Sequence, residues 1–176
     1  MKIGFVGLGN VGGKLANNLI ENNFQISVFD KNHILMDEFK LKGAETAKSI
    51  KDLVMNSDIL ITCLPSPKIC AEVLESKDGI IDTIQKDQIW IEMSTTEDEQ
   101  LKKHASLIQQ KNAIALEAPV SGGCHRAATG NISIFVGGSR EGFEKALPVL
   151  KCLGRKILYT GDFGSASILK VITNYL

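Results

Sequence analysis

A doubly wound α/β fold, with a mostly parallel sheet covered by helices on both faces, is what this sequence predicts. Two observations carry the prediction. Short runs rich in Ile, Val and Phe alternate with longer helical stretches, the rhythm of βαβ units. The first run leads directly into Gly7-Leu8-Gly9-Asn10-Val11-Gly12, a G-x-G-x-x-G pattern that opens a helical segment. The 176 residues suffice for one domain that buries a core without disulfides or metal.

Strands are expected at Lys2 to Val6, Gln25 to Phe29, Ile59 to Thr62, Ile89 to Ile91, Ala113 to Leu116, Ile132 to Val136 and Ile157 to Tyr159. Helices are expected at Val11 to Ile20, behind the glycines, and from about Arg140 to Leu150. A further helix, Thr96 to Gln110, takes Thr95 or Thr96 as its cap and places Glu97, Asp98 and Glu99 in the first turn, where the dipole favours them. No internal repeat, low-complexity tract or Pro/Gly linker marks a second domain.

Composition narrows the function classes. Twenty basic residues balance 20 acidic ones with no basic stripe, so no nucleic acid partner is expected. Cys63, Cys70, Cys124 and Cys152 lack C-x-x-C spacing, and His33, His104 and His125 show no metal-ligand pattern. Free thiols, no metal and a reducing compartment follow. The run Ile3 to Val6 has a strand's length and not a signal peptide's, and no stretch approaches a membrane span. A soluble, cytoplasmic protein without a membrane partner is the expectation.

The residues with unusual chemistry follow the ends of the expected strands: Gly7 to Gly12 the first, Asp30 the second, Cys63-Leu64-Pro65 the third, Ser94-Thr95 the fourth, Pro119 to Gly123 the fifth. Ligands in open α/β sheets bind beyond the carboxyl ends of the strands, so all five belong on one rim. Gly7 permits a tight turn, Gly9 lets the backbone approach a pyrophosphate, and Gly12 lets the helix pack on the sheet. A methyltransferase or flavin site uses a similar loop. Asp30 follows Gly7 at about the spacing where a carboxylate bonds the adenosine ribose; it equally suits an N-cap for a helix starting near Lys31. Its charge repels a 2′-phosphate, favouring NAD over NADP, while Lys31 moderates the exclusion.

Ala118-Pro119-Val120-Ser121-Gly122-Gly123 reads either as a plain strand-to-turn connection or as an anion cradle of Ser121 and the Gly122 and Gly123 amides, with His125 and Arg126 adding attraction. Lys170 reads either as a solvated helix position or as a lysine desolvated by Ile168, Leu169, Val171 and Ile172, its pKa lowered toward proton transfer. Asn174 shares its face at i+4, and Gly164 leaves room for a ligand or another backbone.

In this order, GLGNVG with Asp30, the Leu64-Pro65 loop, Ser94-Thr95, APVSGG, the Gly130 to Gly138 strand and the Gly164-x5-Lys170-x3-Asn174 ending resemble the β-hydroxyacid dehydrogenases of the 3-hydroxyisobutyrate dehydrogenase type. The resemblance implies a Rossmann-type domain over 1–163 that binds NAD(P). Gly7, Leu8, Gly9, Asn10, Val11, Gly12, Asp30, Leu64, Pro65 and Thr95 would serve the cofactor. Ser121, Gly122, Gly123 and Asn174 would serve the substrate, and Lys170 catalysis. It further implies that 164–176 begins an interdomain helix toward an all-helical domain, absent here, that closes the site and forms the subunit interface. Two departures stand out: Glu92 where the family usually has aspartate, and Cys124-His125-Arg126 where small residues are common.

The expected activity is reversible hydride transfer between NAD and a short β-hydroxy acid or semialdehyde, with Lys170 as general acid/base. Alternatives are a tartronate semialdehyde or glyoxylate-type reductase linked to NADPH, and a fragment that binds NAD without turnover. Ile168, Leu169, Val171, Ile172, Tyr175 and Leu176 surround the last helix with apolar surface, which predicts self-association through it.

Overall fold

Alternation along the central strands decides the layering. In β1 (Lys2–Val6), Ile3 and Phe5 point to one face and Val6 to the other. The pattern repeats in β4 (Ile59–Thr62), where Ile59 and Ile61 oppose Leu60, and in β5 (Ile89–Glu92), where Ile89 and Ile91 oppose Trp90. Strands buried on both faces need helices on both. The structure, a computed structural model, describes residues 1–174, with Asn174 described by its backbone alone.

One face is covered by α1 (Gly12–Glu21), α2 (His33–Leu41) and α8 (Arg140–Leu153), which contribute Leu15, Leu19, Phe39, Val149 and Leu150 to the first core. The other is covered by α3 (Ile50–Met55), α4 (Pro67–Glu75), α5 (Ile80–Thr83) and α6 (Asp98–Gln110), which close over Leu60 and Trp90 with Leu53, Leu74, Ile80 and Ile108. Trp90 is fully buried, and its indole N–H donates to Thr62 Oγ1 at 3.0 Å, satisfying its one polar atom.

With β2 (Gln25–Phe29), β3 (Glu45–Thr46) and β6 (Ile114–Glu117), the sheet runs β3-β2-β1-β4-β5-β6, parallel throughout. This is the doubly wound order, with its topological switch between β1 and β4. Beyond β6 the sheet turns antiparallel: β8 (Ile132–Gly138) pairs with β6 and with the short β7 (Val120–Ser121), while β9 (Gly154–Gly161) lies parallel to β8. The last described elements are α7 (Gly123–Ala128) and α9 (Ser165–Asn174).

The expected strands all form; the fifth starts one residue later, at Ile114, and several run on by one to a few residues at their ends. β3 and β7, two residues each, were not expected because so short a segment has no readable period. The expected cap of α6 is corrected. Glu97, and not Thr95 or Thr96, stands at the N-cap, without a side-chain cap bond, and Asp98 and Glu99 occupy the first turn. Thr95 is engaged elsewhere, accepting a hydrogen bond from Lys170 Nζ at 2.7 Å. No helix among the described residues is long and apolar enough to cross a membrane, and the four cysteines are free.

Candidate cofactor and catalytic site

A cleft of about 650 Å³ opens at the carboxyl ends of β1, β2, β4 and β5. Its lining includes Gly7, Gly9, Asn10, Val11, Gly12, Asp30, Leu64, Pro65, Thr95, Gly123 and Lys170, so most of the sequence candidates meet in one place. Phe29, Leu35, Ile69, Val73 and Met93 add an apolar wall that the sequence did not single out. Leu8 is buried beneath the loop, and Ser121 and Gly122 stand outside the lining, at the end of β7. Asn174's side chain, Tyr175 and Leu176 lie outside the described residues.

The glycine loop meets the demands of a phosphate-bearing ligand. Gly7 turns with φ +97°, and a Cβ there would run into the Cys63 carbonyl. A Cβ on Gly12 would strike the Gly7 carbonyl, so the last glycine of the fingerprint gives space to the first. At Gly9 no atom stands within 4 Å of the Cβ position, leaving its backbone open to approach. Val11, at the N-cap of α1, makes no side-chain cap bond, so among the described residues no cap side chain claims the amides at the positive end of that helix. These features fit a dinucleotide's pyrophosphate.

Asp30 is fixed in place. Its Oδ2 accepts from the Leu8 amide at 2.7 Å and its Oδ1 from the Asn32 amide at 2.8 Å. The first bond ties the β2 exit to the glycine loop and gives buried Leu8 its role, through its backbone. The N-cap reading of Asp30 is corrected: Asn32 caps α2, accepting from the Ile34 amide at 3.0 Å. Lys31 pairs with Glu72 at 3.1 Å, with both side chains largely exposed, an arrangement worth little energy.

Across the cleft, Lys170 is half-buried on α9 and donates to Thr95 Oγ1. Burial lowers its pKa, opposed by the Cys63 sulfur. The apolar crowding expected around it is not where the sequence placed it: Ile168, Val171 and Ile172 are 57%, 54% and 51% exposed. Gly164 is buried, turns with φ +101°, and its Cβ position faces the exposed Lys102 and Asp98 side chains.

A buried brace stands behind the cleft. Leu64 N–H donates to Ser94 Oγ, and Ser94 N–H donates to Glu92 Oε1, both at 2.7 Å. Glu92 Oε2 is buried with no hydrogen-bond partner among the described residues, which leaves its desolvation uncompensated by them. Burial first, against bonds from Ser94, pushes the Glu92 carboxyl up to about 7. The Cys63 and Cys70 thiols are both pushed up to about 12, chiefly by burial and then by Glu92, which makes them poor nucleophiles at neutral pH. The sequence marked Glu92 only as a departure and missed Glu117, which is fully buried at the end of β6. A charged residue closing an apolar strand was the available signal, since buried charges require partners.

The family described as the NAD binding domain of 6-phosphogluconate dehydrogenase matches residues 2–161. The chain belongs to that family. Within it, the chain is 35% identical over 174 residues to the mitochondrial 3-hydroxyisobutyrate dehydrogenase of Rattus norvegicus, covering 99% of this chain and 52% of the relative. It is 33% identical over 175 residues to the NAD-dependent L-serine dehydrogenase of Pseudomonas aeruginosa, covering 99% and 59%. Among solved structures, Psf3 in complex with NADP+ and 2-OPP superposes with a TM-score of 0.94 at 25% identity, covering 98% of this chain and 61% of that one. The resemblance to 3-hydroxyisobutyrate dehydrogenases is borne out. The chain spans about half the length of the curated relatives it matches.

Stability of this NAD-binding domain is expected to fall as pH rises. The folded Glu92 carboxyl keeps its proton to about 7, whereas the unfolded chain releases it near 4.5, so its contribution is whole below about 4.5 and lost through 7. Glu92→Gln, neutral at every pH, should therefore gain on the parent between pH 5 and pH 8 by on the order of 2 kcal/mol. Urea unfolding of both proteins at the two pH values checks this; an equal difference at both would contradict it.

Proposed function

We propose that this domain serves an NAD-dependent oxidoreductase that reversibly oxidises a short β-hydroxy acid to its semialdehyde. The observation that carries the reading is the placement of Lys170, half-buried, in the same cleft as the glycine loop and Asp30. A nicotinamide dinucleotide bound in that cleft would supply the hydride acceptor or donor. The open Gly9 backbone and the uncapped start of α1 hold the pyrophosphate, and Asp30 accepts hydrogen bonds from the adenosine ribose. Leu64, Pro65 and Thr95 line the cleft beside it.

Lys170 takes the hydroxyl proton in oxidation and returns it in reduction; its lowered pKa brings it closer to the range where both directions are accessible. Thr95 fixes the Nζ atom. Ser121, Gly122 and Gly123 hold the substrate carboxylate, Gly123 from the cleft wall, and Asn174 orients the hydroxyl. Cytoplasmic location belongs to the same reading and rests on the free cysteines.

NAD is expected to bind at least about tenfold more tightly than NADP, because a phosphate facing the Asp30 carboxylate costs more than 1.4 kcal/mol. Calorimetric titration of both cofactors decides it, and equal affinities would remove the role of Asp30. Turnover is to be measured with this chain joined to the remaining half of a relative, on 3-hydroxyisobutyrate and L-serine. There Lys170→Ala should lower kcat on the order of 10²-fold with cofactor affinity unchanged; unchanged kcat would refute the mechanism. Cofactor binding without turnover of any short β-hydroxy acid would leave nucleotide binding as the chain's function.

Self-association through α9 belongs to the same reading, because Ile168, Val171 and Ile172 are exposed together on it. Sedimentation should show a concentration-dependent dimer that Ile168→Lys abolishes. A monomer at every concentration would oppose it.

A further inference from the structure

Glu117 has no exposed surface, yet the proton transfer described above gives it no part. Its side chain reaches from the end of β6 into the start of α9. Oε1 accepts from the amides of Gly164 at 2.6 Å and Ala166 at 2.8 Å. Oε2 accepts from the amide of Ser167 at 3.2 Å and from its hydroxyl at 2.5 Å. Four donors address the two oxygens, the set a carboxylate requires. A negative group at this end also complements the dipole of α9.

The surrounding backbone is shaped for this contact. A Cβ on Gly137 would run into Glu117 Oε1, so glycine on β8 keeps the space in which the carboxylate lies. Gly164 turns with φ +101° and delivers its amide. Lys170 follows Ser167 by one helical turn, and its Nζ meets Thr95 at 2.7 Å across the cleft. The position of that ammonium is thus set at two points: Thr95 at its tip and the first turn of α9 at its root.

We propose that Glu117 is the positioning residue of Lys170, clamping the first turn of α9 to β6 so that the lysine stands half-buried in the cleft. The proposal rests on the reading of Lys170 as the proton-transfer group. Its test reads only where Lys170 stands, so either idea can fail without the other.

In the 176-residue chain, acetylation of Lys170 by acetic anhydride is followed against pH by peptide mass spectrometry, together with amide hydrogen exchange over 164–170. Glu117→Gln places an amide N–H₂ against the donors of α9. Exchange over that segment should accelerate at least about tenfold, given the strength of hydrogen bonds to a charged group. The pH midpoint for Lys170 should rise toward that of exposed lysines in the same sample, while NADH affinity changes less than about twofold. Ser167→Ala removes one donor and should act in the same direction, with exchange about threefold faster. A cap with only a structural role would lower the melting temperature and leave the Lys170 midpoint in place. The proposal is overturned if a folded variant keeps the parent's midpoint, whether or not exchange accelerates. Should Glu117→Gln fail to fold, Ser167→Ala decides by the same criterion.

Discussion

Behind the last residue of β1 the chain has to reverse into α1 while β4 leaves the sheet immediately beside it. Gly7 makes that turn with φ +97°, in space where a Cβ would meet the Cys63 carbonyl, and Gly12 yields to the Gly7 carbonyl in the same way. Without this close approach the helix could not start against the strand end. Its amides would then not point into the switch between β1 and β4. Asp30 depends on the same turn, since its carboxylate is fastened to the Leu8 amide inside it. The glycine-loop side of the cleft is one mechanical unit, in which the backbone leaves no room for a side chain at Gly7 or Gly12.

The opposite side is built from side chains. Lys170 reaches Thr95, Ser94 supports the Leu64 amide, and Glu92 supports Ser94. The second chain, from Leu64 through Ser94 to Glu92, ends in a buried carboxyl oxygen without a hydrogen-bond partner among the described residues. Burial raises the Glu92 pKa and lowers that of Lys170, each in the direction that favours its neutral form. The domain therefore places a half-buried lysine in the same cleft as the glycine loop, with a buried carboxyl behind the wall between them.

How much of this was legible in the sequence follows from the range of each interaction. The strands and the rim at their carboxyl ends were readable because buried parallel strands are short apolar runs and their ends carry Gly, Asp, Ser and Pro. Asp30 was found by spacing, but its anchoring to Leu8 was not, because that bond spans 22 positions and needs the folded loop. The cap of α6 was misread, since a threonine near a helix start looks like a cap until Lys170, 75 positions away, claims its hydroxyl. Glu117 could have been noticed as a charge closing an apolar strand, but its role could not be read for the same reason: its four donors lie about 50 positions downstream. Ser121 and Gly122 were placed on the rim by position; the cleft lining includes their neighbours Val120 and Gly123 on either side.

The central claim is that the carboxyl edge at the β1/β4 switch is a dinucleotide site whose opposite wall is Lys170 and Thr95. Amide chemical shifts of the ¹⁵N-labelled chain, followed during NAD addition, test it most directly. The expected result is saturable perturbation at Gly9, Asn10, Val11, Gly12, Leu64 and Thr95, with β9 and α8 unmoved. Perturbation centred away from these residues, or none at millimolar NAD, would contradict it.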